Sequence, residues 1–269
     1  MIVVTGSNGF IAGRLIDRFA NAVEKYDLLC LDKEDCGFLF KMSAELWDQV
    51  THLYHFGAIS DTTCTDVDEI YKYNIEYSIK LFERARQHGV HVTYASSASV
   101  YGNSCICNRI NPLNYYSMSK ATVDMWVQDN MHTFKSIVGL RFFNVYGRGE
   151  DHKGSQASPL HVFSQQAKEL GEIRVFEGSR DFKRDFVWVE DCIDCALTKK
   201  QSGIYDVGTS SQVSFMKVAE LVSEKYAAPI VEIPFPDHLA EKYQFSTEAQ
   251  VHFPEKKFKT VKEYVDEMP

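Results

Sequence analysis

The chain has 269 residues, 45% hydrophobic and 25% charged, enough to bury a sizeable core as one large domain or two small ones. Its formal net charge is −8 and it has no basic run, which argues against a nucleic-acid partner yet leaves room for a local phosphate pocket. No apolar run approaches the roughly 20 residues of a membrane span, and Met1-Ile2-Val3-Val4-Thr5 reads as a buried strand without a basic leader, so the expected setting is cytoplasmic with no membrane partner.

In chain order, short apolar strands are predicted over 1–5, 27–31, 52–56, 91–95 and 137–141. Between the first two, Phe10, Ile11, Leu15, Ile16, Phe19 and Val23 recur at helical spacing and make one buried stripe. Long helices are predicted near 66–88 and 115–134. A polar loop over 149–155 then interrupts the alternation, followed by a helix near 157–170. Further elements are a strand at 185–189, a helix at 190–200, a strand at 204–208, helices near 214–227 and 259–267, and a strand near 230–233 before Pro234-Phe235-Pro236. Strands alternating with helices imply an α/β fold with a parallel sheet covered on both faces. The expected division is 1–147, rejoined by about 185–210, and a smaller lobe over 148–269.

The first strand runs into Gly6-Ser7-Asn8-Gly9-Phe10-Ile11. A strand, a glycine turn and a helix N-terminus present unpaired N–H groups and the positive end of the helix dipole, which makes a pyrophosphate site. Gly6 allows the tight turn, Gly9 a close backbone approach, and Ala12 with Gly13 close helix–sheet packing. Asp32 closes the second strand at the distance where a carboxylate meets an adenosine ribose. That carboxylate favours NAD, whereas Lys33 beside it offsets repulsion of a 2′-phosphate, so both cofactors stay open. Taken alone, the glycines are an ordinary tight turn and Asp32 a cap.

Tyr116-Ser117-Met118-Ser119-Lys120 carries the chemistry, with Tyr94-Ala95-Ser96-Ser97-Ala98 upstream. Residues four apart share a helix face, so the Lys120 ammonium is expected beside the Tyr116 phenol, favouring phenolate. One cation about 4 Å away at an effective dielectric of 20 supplies about 4 kcal/mol, or roughly 3 pKa units. The bare pattern is common on helices; its place downstream of a nucleotide turn and a serine strand gives it meaning. Seven cysteines, an odd number, fit a reducing compartment. Cys105 and Cys107 lie in an expected loop, and Cys192 and Cys195 read as small buried hydrophobes on a helix with no partner pair at zinc spacing, so no metal is expected.

Thr5-Gly6-x-x-Gly9-Phe10-Ile11, His55-Phe56-Gly57-Ala58, Tyr94-Ala95-Ser96-Ser97, Tyr116-x-x-x-Lys120 and Arg141-Phe142-Phe143-Asn144-Val145-Tyr146-Gly147 resemble, in order, the motifs of the extended short-chain dehydrogenase/reductases acting on nucleotide sugars, the NAD-dependent epimerase/dehydratases. The resemblance implies a Rossmann-like doubly wound sheet with a smaller C-terminal substrate lobe. The C-terminal half, through His152-Lys153-Gly154-Ser155-Gln156-Ala157-Ser158, Phe176-Glu177-Gly178-Ser179, Phe182-Lys183-Arg184-Asp185-Phe186-Val187, Ile233-Pro234-Phe235-Pro236-Asp237 and Lys242-Tyr243-Gln244, is similar to the ADP-heptose 6-epimerases.

That resemblance implies NADP or NAD, tightly bound, held by Gly6, Asn8, Gly9, Phe10, Ile11, Asp32, Lys33, Gly57, Ala58, Asn74, Tyr116 and Lys120. It assigns Tyr116 the proton exchange with a sugar hydroxyl, Lys120 the nicotinamide ribose and the phenol, Ser97 the reacting oxygen, and Lys153 a second acid/base role. Asn144, Ser155, Phe176, Gly178, Ser179, Arg184 and Tyr243 would hold the nucleotide sugar, and the protein would be a homo-oligomer. Other epimerases, reductases and dehydratases of the superfamily, and a catalytically silent nucleotide binder, are the alternatives; Ala98-Ser99-Val100 lacks the acidic residues a dehydratase uses. The chain departs from the pattern by shortenings between Asp32 and His55, where the family carries a further strand and helix, and between Gly102 and Tyr116.

Overall fold

The computed structural model describes residues 1–35, 37–103, 109–236 and 244–268, without the side chain of Ser155. These residues form two compact units, one comprising 1–100, 114–141 and 193–205, the other 101–113, 142–192 and 206–269.

The first unit is built on β1 (Ile2–Thr5), α1 (Phe10–Ala20), β2 (Leu28–Leu31), α2 (Phe38–Lys41), α3 (Ala44–Trp47), β3 (His52–His55), α4 (Val67–Ile70), a π turn at Tyr71–Glu76, α5 (Tyr77–Gln87), β4 (His91–Ser97), α6 (Tyr115–Asn130) and β5 (Ser136–Phe142). Its sheet has the order β2-β1-β3-β4-β5-β9, where β9 is Gly203–Val207, and β1 runs parallel to β2 and β3, as β3 does to β4. Val3 and Val4 of β1 are wholly buried, as a central strand covered on both faces requires.

The helix predicted over 66–88 is interrupted by the π turn, and the strand predicted to end at 95 continues to Ser97. Where the family pattern carries a further strand and helix, this chain places α2 and α3. Their anchor is Trp47, fully buried with Leu39 and Met42, its indole N–H donating to the Leu39 carbonyl at 3.0 Å. The shortened segment is therefore packed into the core.

The second unit holds β6 (Asn144–Tyr146), α7 (Pro159–Glu169), β7 (Ile173–Phe176), β8 (Lys183–Trp188), β10 (Gln212–Ser214), α9 (Phe215–Tyr226), β11 (Ile230–Ile233) and α10 (Val261–Asp266). The helix α8 (Val189–Thr198) carries Cys192 and Cys195, both wholly buried. One small sheet runs β10-β8-β6 and another pairs β11 with β7. The strands β6, β7 and β10 were not predicted; β6 and β10 have only three residues, too few to show alternation. The core joins Tyr146, Phe163, Ile173, Phe186, Met216 and Val222. Cys105 and Cys107 lie outside the described residues. Among the described residues, no helix is long and apolar enough to cross a membrane.

Candidate active site

At the end of β1 the chain turns through Gly6, whose φ is +72°. A Cβ there would lie 2.5 Å from the Gly57 Cα and 2.6 Å from its nitrogen, so two backbones meet where only glycine fits. The Ser7 N–H donates to the Leu31 carbonyl at 3.1 Å and that of Gly9 to Gly6 at 2.8 Å, fixing the turn against β2. Gly9 caps α1 without a side-chain bond, and the first turn, which opens with Phe10 and Ile11, contains no acidic residue to oppose an anion at the positive helix end.

Asp32 stands at the tip of β2, its Oδ2 accepting from the Asn8 N–H and its Oδ1 from the Lys33 N–H, both at 2.7 Å. The cradle fits the pyrophosphate and ribose of a dinucleotide. The Lys33 ammonium, however, lies 2.5 Å from a Glu69 carboxylate oxygen and over the Tyr73 ring, so a carboxylate already balances its charge.

Asn114 caps α6, its Oδ1 accepting from the backbone N–H and the hydroxyl of Ser117, each at 2.8 Å. This fixes the first turn, where Tyr116 sits, with Lys120 one turn later. Ser97, the last residue of β4, hydrogen-bonds to Tyr116 through its hydroxyl. The Lys120 Nζ donates to the Ala95 carbonyl at 2.8 Å and lies 5.9 Å from the centre of the Tyr116 ring. The three residues meet, but the expected depression of the phenol is not what the protein produces by itself. Desolvation lifts Tyr116 above its ordinary value, the Ser97 bond pulls it down and the Asp124 carboxylate lifts it further. Desolvation also lowers Lys120, to about 8, against the opposing pull of Asp124. Helical spacing brings the two groups onto one face, but burial of both inside protein carries a dielectric cost that outweighs their attraction.

Asn74 differs from expectation. Its amide accepts from the Ile59 N–H at 2.8 Å and donates to the Ile59 carbonyl and to the Ser119 hydroxyl, each at 3.0 Å, and the residue is 1% exposed. Both amide donors are thus engaged within the protein, and Asn74 braces the segment after Gly57 and Ala58 against α6.

In the second unit, Lys153 is tethered at 2.9 Å to Glu150, a carboxylate 1% exposed. Glu150 also accepts from the Ser158 N–H and hydroxyl, both at 2.7 Å, and from the Gly147 N–H at 3.1 Å. Lys153 is therefore a positioned ammonium. Arg184 is buried on β8, donating to the Lys183 carbonyl at 3.0 Å, its guanidinium over the Phe215 ring at 5.4 Å. Asn144 lies half-buried on β6, paired with Phe186. Phe176 packs edge-on to Phe235, and the turn continues through Gly178, φ +84°, where a Cβ would come within 3.0 Å of Phe182. The Ser179 hydroxyl departs from its expected role as a sugar ligand. It is buried and donates to the Phe176 carbonyl at 2.5 Å, closing the turn on itself. Tyr243 lies outside the described residues.

With this geometry in place, comparison with known proteins is decisive. The model of the NAD dependent epimerase/dehydratase family matches residues 2–208. The chain belongs to the NAD-dependent epimerase/dehydratase family. It is 35% identical to the ADP-L-glycero-D-manno-heptose-6-epimerase of Alkalilimnicola ehrlichii, over 93% of this chain and 89% of that protein. It is 34% identical to the enzyme of the same name from Brachyspira hyodysenteriae, with the same coverage. The crystal structure of the Helicobacter pylori ADP-L-glycero-D-manno-heptose-6-epimerase superposes with a TM-score of 0.85 at 26% identity, over 98% of this chain and 93% of that one.

Three acidic residues of this family member escaped the sequence reading. Asp124, 2% exposed, accepts from the Tyr94 and Ser96 hydroxyls, both at 2.9 Å, and from Arg141 Nε at 2.7 Å, so it braces β4 and β5 against the helix that carries Tyr116 and Lys120. Its signal was available: a carboxylate four residues after Lys120 on one helix face. Glu150 stands three residues before Lys153. Asp185, wholly buried beside Arg184, accepts from the N–H groups of Thr209, Ser210 and Ala249 at 2.7, 2.8 and 3.0 Å. Desolvation outweighs those bonds and leaves its carboxyl above the usual range. Nothing local in the sequence marks its partners, which arrive from segments 24 to 64 residues away.

Proposed function

We propose that this protein interconverts ADP-D-glycero- and ADP-L-glycero-D-manno-heptose at C6″ by transient oxidation and re-reduction. The observation that carries the reading is the Ser97, Tyr116 and Lys120 cluster in a chain this similar to proteins bearing that name. In this reading the glycine turn and Asp32 hold the nucleotide, and Asn144, Phe176, Gly178 and Arg184 hold the sugar diphosphate. Bound nicotinamide supplies hydride acceptance and return, and in its oxidised form a positive charge.

Tyr116 takes the proton of the C6″ hydroxyl as that carbon is oxidised. Ser97, whose hydrogen bond already lowers the phenol, holds the reacting oxygen. Lys120 keeps its proton up to about pH 8 and so stays cationic beside the tyrosine at neutral pH, where it stabilises the phenolate form that Tyr116 must have before it accepts the proton, and holds the ribose. The second acid/base group of this reading, which returns a proton on reduction, is Lys153, whose ammonium Glu150 holds at 2.9 Å. Arg184 pairs with diphosphate, for which a buried, donor-rich guanidinium is suited.

The resident cofactor is proposed to be NAD. Asp32 at the tip of β2 repels a 2′-phosphate, and the Lys33 charge is already balanced by Glu69. A homo-oligomeric state belongs to the same reading. The test is incubation of the purified protein, without added cofactor, with ADP-D-glycero-D-manno-heptose, following C6″ by NMR. Conversion to the L-glycero epimer with no net redox is the expected result. No conversion, even with NAD and NADP added, overturns the reading.

A further inference from the structure

We propose that His55, as a neutral imidazole carrying its proton on Nε2, is a positioning residue that couples the Gly57–Ile59 loop to the helix bearing Tyr116. The coupling is a chain of hydrogen bonds whose direction the partners dictate. At one end the Ser78 hydroxyl donates to the Asn74 carbonyl at 2.7 Å, so the contact of Ser78 Oγ with His55 Nε2 at 2.8 Å must be donated by the ring. A neutral ring protonated on Nε2 accepts at Nδ1, and the Thr5 hydroxyl, 2.7 Å away, is then the donor. Thr5 Oγ1 keeps a lone pair for the Gly57 N–H, which reaches it at 3.4 Å.

The same Asn74 extends the chain, its amide donating to Ser119 Oγ at 3.0 Å, whose hydroxyl donates to the Tyr116 carbonyl at 2.7 Å. The bonds from the Gly57 N–H through Thr5, His55 and Ser78 to Asn74, and from its amide through Ser119 to Tyr116, thus point towards the first turn of α6. The π turn at Tyr71–Glu76 presents both ends of Asn74 to this chain, its carbonyl to Ser78 and its amide to Ile59 and Ser119. An insertion of this kind inside a helical stretch is a recurrent mark of functional sites.

The surroundings hold the ring in one protonation state. His55 is 5% exposed, packed between Tyr77 at 5.8 Å and edge-on Phe82 at 5.5 Å. The ionisable groups that face it are Lys120 from α6 and the Tyr77 phenol from α5. Desolvation, helped by the Lys120 charge, takes the ring down to about 3, well clear of neutral pH. An imidazolium would confront the Thr5 hydroxyl donor with a second donor and break the direction of the chain. His55 is thus part of no proton transfer; its work is alignment, on the scale where about 1 Å of misplacement costs up to roughly 100-fold in rate.

The first test needs no substrate. Long-range proton–nitrogen spectra of the full chain with labelled histidine, from pH 5 to 8.5, are expected to show two rings that do not titrate, those of His52 and His55, and the one that disappears in His55→Gln is expected to carry its proton on Nε2. A proton on Nδ1, or titration in that range, overturns the proposal. The second test compares variants. His55→Phe keeps the ring volume but strands both hydroxyls, and is expected to weaken NAD binding about tenfold and lower kcat by one to two powers of ten, with the sugar KM changed less than about twofold. His55→Gln, which keeps one donor and one acceptor, is expected to recover most of kcat. Should the phenylalanine variant not fold, Ser78→Ala removes one oxygen at the far end of the ring and is expected to lower kcat about tenfold. Unchanged kcat and NAD affinity in Ser78→Ala would overturn the coupling. The turnover arm rests on the epimerase reading, whereas the spectra and NAD titration do not, so the two failures are distinguishable.

Discussion

Removing the Asp124 carboxylate by Asp124→Ala is expected to destabilise the protein by about 4 kcal/mol. The figure comes from the partners left behind. Arg141 is only 11% exposed at its side chain and loses the acceptor of its 2.7 Å bond. Breaking a buried ion pair by removing one partner costs about 3–5 kcal/mol. The Tyr94 and Ser96 hydroxyls also lose their acceptor, at about 1–3 kcal/mol each in isolation, although a cavity that admits water absorbs part of this. At about 2–4 °C per kcal/mol for a chain of this size, Tm falls by about 8–16 °C. Calorimetry and guanidinium unfolding, with far-ultraviolet and near-ultraviolet dichroism as separate probes, measure it. Asp124→Leu combined with Arg141→Met is expected to regain much of the loss, since an apolar pair strands no charge. The Lys120 ammonium meanwhile loses the carboxylate that raises it, so its titration moves below about 8 and the high-pH limb of activity moves down with it. Stability of Asp124→Ala within about 1 kcal/mol of the parent, or a double variant no better than the single one, would refute this account.

Tyr116→Phe is expected to retain NAD while turnover falls by at least about 100-fold, the weight of a general acid–base group; ordinary turnover in single-turnover kinetics counts against the mechanism. Asp32→Asn is expected to raise NADP affinity relative to NAD by about tenfold or more, measured by titration, because a charge about 5 Å from a phosphate at effective dielectric 20 costs about 3 kcal/mol before screening. His52, which shares a 2.9 Å bond between its Nε2 and the Thr93 hydroxyl, is held down to about 3, so the unfolded chain binds a proton there that the native one refuses. Its contribution is complete above about pH 6.5 and is lost as pH falls towards 3, with a slope of about 1.4 kcal/mol per pH unit. His52→Gln is therefore expected to flatten the acid limb of stability by that amount; an unchanged limb in denaturant titrations refutes the sign.

Much of the site was legible because its chemistry is local. Gly6, Gly9 and Asp32 are a strand–turn–helix signature, and Tyr116 and Lys120 lie one helical turn apart, so backbone periodicity alone puts each group on a definable face. The parallel sheet was legible for the same reason: strands buried on both faces read as short apolar runs. What the sequence could not determine is where burial would fall and which distant groups would meet. Desolvation reversed the expected depression of the Tyr116 phenol, while the Ser179 hydroxyl closes its own turn on the Phe176 carbonyl and Glu150 holds Lys153. The partners of Asp185 and the ring of His55 come from segments up to 64 residues apart, joined only when the strands align. A hydrogen bond's worth depends on the dielectric around it, and that is a property of packing. The amino-acid order determined which groups are available; the tertiary structure decided which are charged, which are aligned, and which are spent holding the others in place.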